Sequence, residues 1–387
     1  GVSPPALDSN GYIYTVDSWG WPTKIDSNTD EHDVVFNNYL PDGADGLSSI
    51  ALAWDESTAY VGSTNGLYAL DPNDGDVLWG PVWSACEVYS TPLVDPVYDI
   101  MNGWVYFGAN CPDTDGTAHL VAVDSSGTEQ WAFEADAAII SSPVRVLGGS
   151  GEDYVVFGEA DDGTGSGRVV CVDNGDNGSL VWEYPTGSGC WSSPAVGSDG
   201  TTIYIGCDDG MLYAIDGVLG TIKSGFPVEI HDPDTATETL VDGCSPTIAP
   251  GADGRDFIFM TSRADTDNAY VYRDDGELAI EKTLGVGNSS ITIAADAFWL
   301  VHTGDEIQGF NLMGDKEWYA VLADTHYTWI TSSPAVAAGG IVYVLEFTGW
   351  DAFTGRLLAI QGSADMYTGQ GAYPKFRGDW GNTGWGF

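Results

Sequence analysis

Residues 60–79 read YVGSTNGLYALDPNDGDVLW, and nearly the same phrase returns along the chain. It recurs as YFGANCPDTDGTAHLVAVDSSGTEQW from Tyr106 to Trp131 and as YVVFGEADDGTGSGRVVCVDNGDNGSLVW from Tyr154 to Trp182. A shorter copy, YIGCDDGMLYAID, runs from Tyr204 to Asp216. The unit is an apolar run with a Gly near its end, a polar turn, a second apolar run closed by Asp, a Gly-bearing turn and, in most copies, a Trp. A chain that repeats a unit in this way takes its fold from the unit.

A second phrase opens each unit: a small polar pair, then Pro or Ile, then a short apolar run. It reads SPPA at Ser3, SSIA at Ser48, STPL at Ser90, SSPV at Ser141 and SSPA at Ser192. It continues as CSPT at Cys244, SSIT at Ser289 and SSPA at Ser332. From Pro5 to Pro334 is 329 residues over seven intervals, a mean period of 47. Each unit holds four candidate strands, which in the second unit are SSIALAW, TAYVGS, GLYALD and DVLWGPV. The connections are short and rich in Asp, Asn and Gly, as hairpin turns require. The second and third strands are apolar at successive positions, so both of their faces are covered.

Four antiparallel strands at this period, buried on both faces by neighbouring copies, make the blade of a β-propeller. The expected fold is all-β: one eight-bladed β-propeller domain over 1–387. Its four-stranded blades fall near 1–40, 41–85, 86–136, 137–187, 188–239, 240–286, 287–326 and 327–387, the last including a C-terminal closing segment. The Pro in the first strand suits an innermost strand, whose free edge faces the axis. Trp79, Trp131, Trp182 and Trp318 begin fourth strands and are expected to wedge between blades.

The repeat resembles the PQQ-like repeat, the blade unit of quinoprotein dehydrogenases and of many non-enzymatic secreted propellers. The segment YPKFRGDWGNTG, from Tyr373 to Gly384, is similar to one that borders such propellers. For an enzyme, the resemblance implies an adjacent Cys–Cys disulfide, a Trp floor, Ca²⁺ ligands of Glu and Asn type and a catalytic Asp. No two cysteines are adjacent here. Pyrroloquinoline quinone is therefore not expected, and the chain reads as a non-enzyme with no catalytic residues. A third class, an envelope assembly factor similar to the propeller lipoprotein of outer-membrane biogenesis, is disfavoured by the acidity and by the absence of a lipid-bearing Cys at the N-terminus.

Twelve Lys and Arg stand against 57 Asp and Glu, a net charge of −45. Such a chain is repelled by nucleic acid and by anionic lipid. No apolar run approaches the ~20 residues that span a bilayer. The acidity has two readings. One is a solvated surface suited to high salt, where screening relieves self-repulsion. The other is a set of Ca²⁺ loops, because Ca²⁺ takes six to eight oxygens from clustered carboxylates. Its candidate ligands are Asp71 with Asp74, Asp113 with Asp115, and Asp173 with Asp176. The five histidines, His32, His119, His231, His302 and His326, form no metal motif.

An even cysteine count in an acidic chain points to export and to disulfides. Cys86 and Cys111 flank the turn near Tyr98–Gly103 and are expected to pair. For Cys171, Cys190, Cys207 and Cys244 two arrangements stand open. Cys190 and Cys207 flank another hairpin turn, Ser198–Thr201, but their pairing leaves Cys171 and Cys244 two units apart, beyond disulfide reach. The other arrangement joins Cys190 to Cys244 and Cys171 to Cys207. The functional expectation is an extracellular or cell-surface scaffold, its leader already removed. Its partner is a protein, with self-assembly head-to-tail through Trp380, Trp385 and Phe387 as one form of it.

Overall fold

The computed structural model describes residues 4–361 apart from 18, 29–32, 96–102, 113–115, 162, 164, 231–243, 263–267, 285–288, 295–298, 304–305, 322–331, 338–339 and 349–353. The second unit shows the pattern. Ala51–Leu52, Ala59–Ser63, Gly66–Leu70 and Val77–Val82 form one antiparallel sheet in that order. Six further four-stranded sheets repeat the order, beginning at Ala6, Leu93, Val144, Ala195, Thr247 and Thr292. The eighth has three described strands, Ala335–Val336, Ile341–Thr348 and Thr354–Gln361. Helix among the described residues is confined to one 3₁₀ turn at Pro41–Gly43. The protein is an eight-bladed β-propeller.

The core lies between blades. Ala51, Tyr60 and Leu67 of the second blade pack with Val105, Phe107 and Val121 of the third. Equivalent clusters fill every other junction, and Leu7, Ile13 and Ile25 of the first blade meet Ala335 and Tyr343 of the eighth. Ring closure is therefore blade on blade. The burial gradient follows: Ala59–Ser63 and Gly66–Leu70 are buried throughout, whereas Val77–Val82 alternates towards solvent.

The tryptophan wedges form as expected. Trp79 Nε1 donates to the Ser125 carbonyl (2.9 Å) and Trp182 Nε1 to that of Gly217 (3.0 Å), both in the next blade. Each ring covers a turn glycine. A Cβ on Gly178 would stand 2.4 Å from the Trp131 ring, and one on Gly220 2.6 Å from Trp182. The first unit lacks the Trp, and Phe36 takes its place against Gly75.

The innermost strands differ from expectation. SSIALAW contributes only Ala51–Leu52 to the ladder. The polar pair ahead of it bonds through its hydroxyls instead. The first member accepts the amide N–H of the second strand's glycine: Gly62 to Ser48 (2.8 Å), Gly108 to Ser90 (2.8 Å), Gly158 to Ser141 (3.1 Å). The second member joins blades. The N–H of Thr91 donates to Ser142 Oγ, Ser142 to Ser193, Ser193 to Ser245, Ser245 to Ser290 and Ser290 to Ser333, at 2.9–3.1 Å.

Candidate functional site

Four antiparallel strands bring the chain out of a blade at the end where it entered. All crossings to the next blade, and all turns between second and third strands, therefore share one face of the ring. We call it the crossing face. Both disulfides stiffen it. Cys86 pairs with Cys111, tying the lead-in of the third blade to the end of Val105–Cys111. Cys190 pairs with Cys207 in the fifth blade. Cys171 and Cys244 are buried and belong to neither bridge, so the arrangement joining Cys190 to Cys244 is not the one adopted. The reason is local: each bridged pair lies across one hairpin, with Cα atoms 4.2 Å apart.

Between the third and fourth blades this face opens into two adjoining clefts of about 220 and 250 Å³ that share Asp136 and Ala137. In the first, Arg168 of Gly167–Asp173 grips Glu159 with a two-pronged fork, Nε to Oε2 at 2.6 Å and Nη2 to Oε1 at 3.1 Å. Its Nη1 also meets Glu183 (2.5 Å) and Asp136 (2.9 Å). Glu159 is only 1% exposed. Burial pushes its carboxyl above the usual range, against the pull of the Arg168 fork. One cation among three carboxylates leaves the cleft acidic. Sequence reading passed over this group, although an Arg inside a third strand is conspicuous where cations are so few. In the second cleft Tyr89 donates its hydroxyl to Glu87 Oε2 (3.0 Å).

Aromatic side chains stand out of the crossing face. Trp19, Trp21 and Tyr39 of the first blade are 63%, 37% and 73% exposed, and Tyr89 and Trp191 about two-fifths. The cations whose side chains are described are already engaged. Arg145 pairs with Asp95 and Asp153, Arg255 with Asp274 and Asp275, and Arg273 with Asp253. Lys223 meets Asp216, Lys316 meets Glu306, and Lys282 lies over the Phe310 ring. Lys24 donates to the Pro72 carbonyl at 2.7 Å.

The candidate Ca²⁺ residues form closed turns. Asp71 Oδ1 accepts the N–H of Asn73 (2.8 Å), and Asp74 Oδ1 that of Asp76 (3.0 Å). Asp173 Oδ1 accepts from Gly175 and Asp176, while Asp176 Oδ2 accepts the Ser179 hydroxyl. Among the described residues no three His, Cys, Asp or Glu side chains converge to hold a metal. Asp113, Asp115, Trp380, Trp385 and Phe387 lie outside the described residues. The two bridges join cysteines 25 and 17 positions apart, so neither is an adjacent Cys–Cys pair.

Residues 19–190 match a family model described as outer membrane protein assembly factor BamB. No curated protein matches the chain in sequence. Among solved structures, BamB from Moraxella catarrhalis is similar at 16% identity, with 88% of this chain and 89% of that one covered and a TM-score of 0.61. A quinohemoprotein alcohol dehydrogenase from Pseudomonas putida HK5 is similar at 15% identity, covering 90% and 72%, with a TM-score of 0.58. A europium-containing methanol dehydrogenase is similar at 13% identity, covering 89% and 82%, also at 0.58. At these identities the structures speak for the fold alone. Repeat, eight-sheet ring and similar structures together give the chain the fold of the PQQ-like β-propellers, and the family model matches its residues 19–190.

Proposed function

We propose that the protein is a non-catalytic, extracellular or cell-surface propeller that binds a protein partner on its crossing face. The observation that carries this reading is the set of exposed aromatics, Trp19, Trp21, Tyr39, Tyr89 and Trp191, on the face that both disulfides brace. Aromatic side chains offer large contact area at low entropic cost and are enriched where proteins meet. Disulfides suit an oxidising compartment, and among the described residues no helix is long and apolar enough to cross a membrane. The matched family model bears the description of an assembly factor, which accords with binding. Photo-crosslinkers at Tyr89 and Trp191 are expected to trap a protein from the producing cell's envelope or medium. One at Trp54, exposed in a turn on the opposite face, is not. The absence of any adduct from the crossing face would overturn the reading.

Self-assembly is one form of this proposal. Light scattering on the full chain and on a chain lacking 385–387 tests it: loss of a large species on deletion supports it, and a monomer at every concentration excludes it. The second reading is a quinoprotein dehydrogenase, which two of the similar structures favour. Reconstitution with pyrroloquinoline quinone and Ca²⁺, followed by dye reduction with alcohols and aldoses, is expected to give no turnover. Turnover would replace the binding reading.

A further inference from the structure

The aromatic group of the first blade is built rather than incidental. Asp17 Oδ1 accepts the N–H groups of Trp19 (2.8 Å) and Trp21 (2.9 Å), and its Oδ2 accepts Asn37 Nδ2 (2.9 Å). The turn is held from below as well. Gly46 donates to the Gly20 carbonyl at 2.7 Å, and a Cβ on Gly20 would stand 2.7 Å from that of Asp45. Trp21 and Tyr39 lie with ring centroids 6.3 Å apart, tilted by 57°. The backbone that presents these rings is thus fixed before anything binds, which lowers the entropic cost of binding.

The surroundings select the occupant. Asp42 and Asp45 are exposed in the loop that follows Tyr39, and no described cation pairs with either. An apolar segment laid across the rings would desolvate these carboxylates without compensation. A phosphate-bearing ligand would be repelled. A second copy of this chain, at −45 and with its described cations engaged internally, is a poor match as well. A guanidinium or ammonium satisfies both features, by lying over a ring face and pairing with a carboxylate. The chain uses this combination itself: Lys24 Nζ lies 4.1 Å from the Tyr12 ring centroid and 5.0 Å from that of Tyr14, in the field of Asp8.

We propose that Trp19, Trp21 and Tyr39, flanked by Asp42 and Asp45, form the docking site for a Lys- or Arg-bearing segment of the protein partner. This deepens the binding reading and rests on it. The test uses the full chain and a fluorescent peptide of alternating Arg and Gly, compared with its citrulline counterpart, by anisotropy at fixed ionic strength. The Arg peptide is expected to bind and the citrulline peptide to bind at least about threefold more weakly. Trp19→Ala and Tyr39→Ala are each expected to weaken the Arg peptide about two- to fivefold. Tyr39→Leu, which keeps apolar bulk but removes the ring, should weaken it similarly. Trp54→Ala removes an exposed aromatic beside Asp55 and Glu56 on the opposite face and should change nothing. Equal affinity for the two peptides, no loss in the first-blade variants, or an equal loss in Trp54→Ala would overturn the proposal. Crosslinks at Tyr89 or Trp191 that persist alongside such a result would leave the broader binding reading standing.

Discussion

Gly108 has no Cβ because the next blade's lead-in crosses directly above it. A Cβ there would stand 2.5 Å from Ile139 Cγ2 and 2.8 Å from the Ile139 carbonyl oxygen. Gly108→Ala is expected to destabilise the fold by roughly 1–3 kcal/mol through overpacking, measured by denaturant unfolding. Glu159 makes a different demand, on pH. Burial raises its native pKa, so the native state holds the proton more tightly than the unfolded chain does. Stability attributable to this residue therefore falls as pH rises from the unfolded glutamate value, about 4.3, through the native one. Glu159→Gln should flatten that slope in unfolding free energies measured across the window; an unchanged slope would rule out the assignment. The repeated glycine was legible in the sequence, because it recurs at one place in the unit. The Glu159–Arg168 pair was not, because it occurs once and period reveals only what repeats.

At the scale of strands and turns, the wedges and bridges were open to sequence reading and the relay of hydroxyls was not. Trp131 is 5% exposed and caps the turn of the next blade. Trp131→Ala should cost about 3–5 kcal/mol, readable as a shift in the unfolding midpoint. Cys190→Ser with Cys207→Ser opens a bridge between positions 17 apart, at an expected cost of ~3 kcal/mol from restored loop entropy. A chain with unchanged stability would show that the hairpin holds without it. The polar pair was noticed as a marker, but its function was invisible. A hydroxyl that bonds the neighbouring blade looks, in one dimension, like any small residue before a proline. Site residues fared similarly. Acidic turns stand out by spacing, yet those described use carboxylate oxygens on their own backbone amides. The exposed aromatics gave no periodic signal at all.

Across the whole molecule, the eight interfaces spread stability around a ring while the surface carries uncompensated negative charge. If that charge is an adaptation to salt, molar NaCl should raise the melting temperature through screening. Millimolar Ca²⁺ at fixed ionic strength should then do little; a rise following RT ln(1 + [L]/Kd) would instead assign the acidic turns to metal. The relay of second-position hydroxyls has a further consequence. Its five links all point the same way round, the third to seventh blades each giving an N–H to the one ahead, from Thr91 to Ser333. In the first blade this position is Pro4, which has neither an N–H to give nor a hydroxyl to receive. The relay therefore has a polarity and a clasp, and the clasp is the first blade, which can neither receive from the eighth nor give to the second. Slow breathing of the ring should begin there: the amide of Ser333 should exchange with deuterium before those of Ser142 and Ser193, and the molecule should come apart as a necklace does, at its fastening rather than along its string.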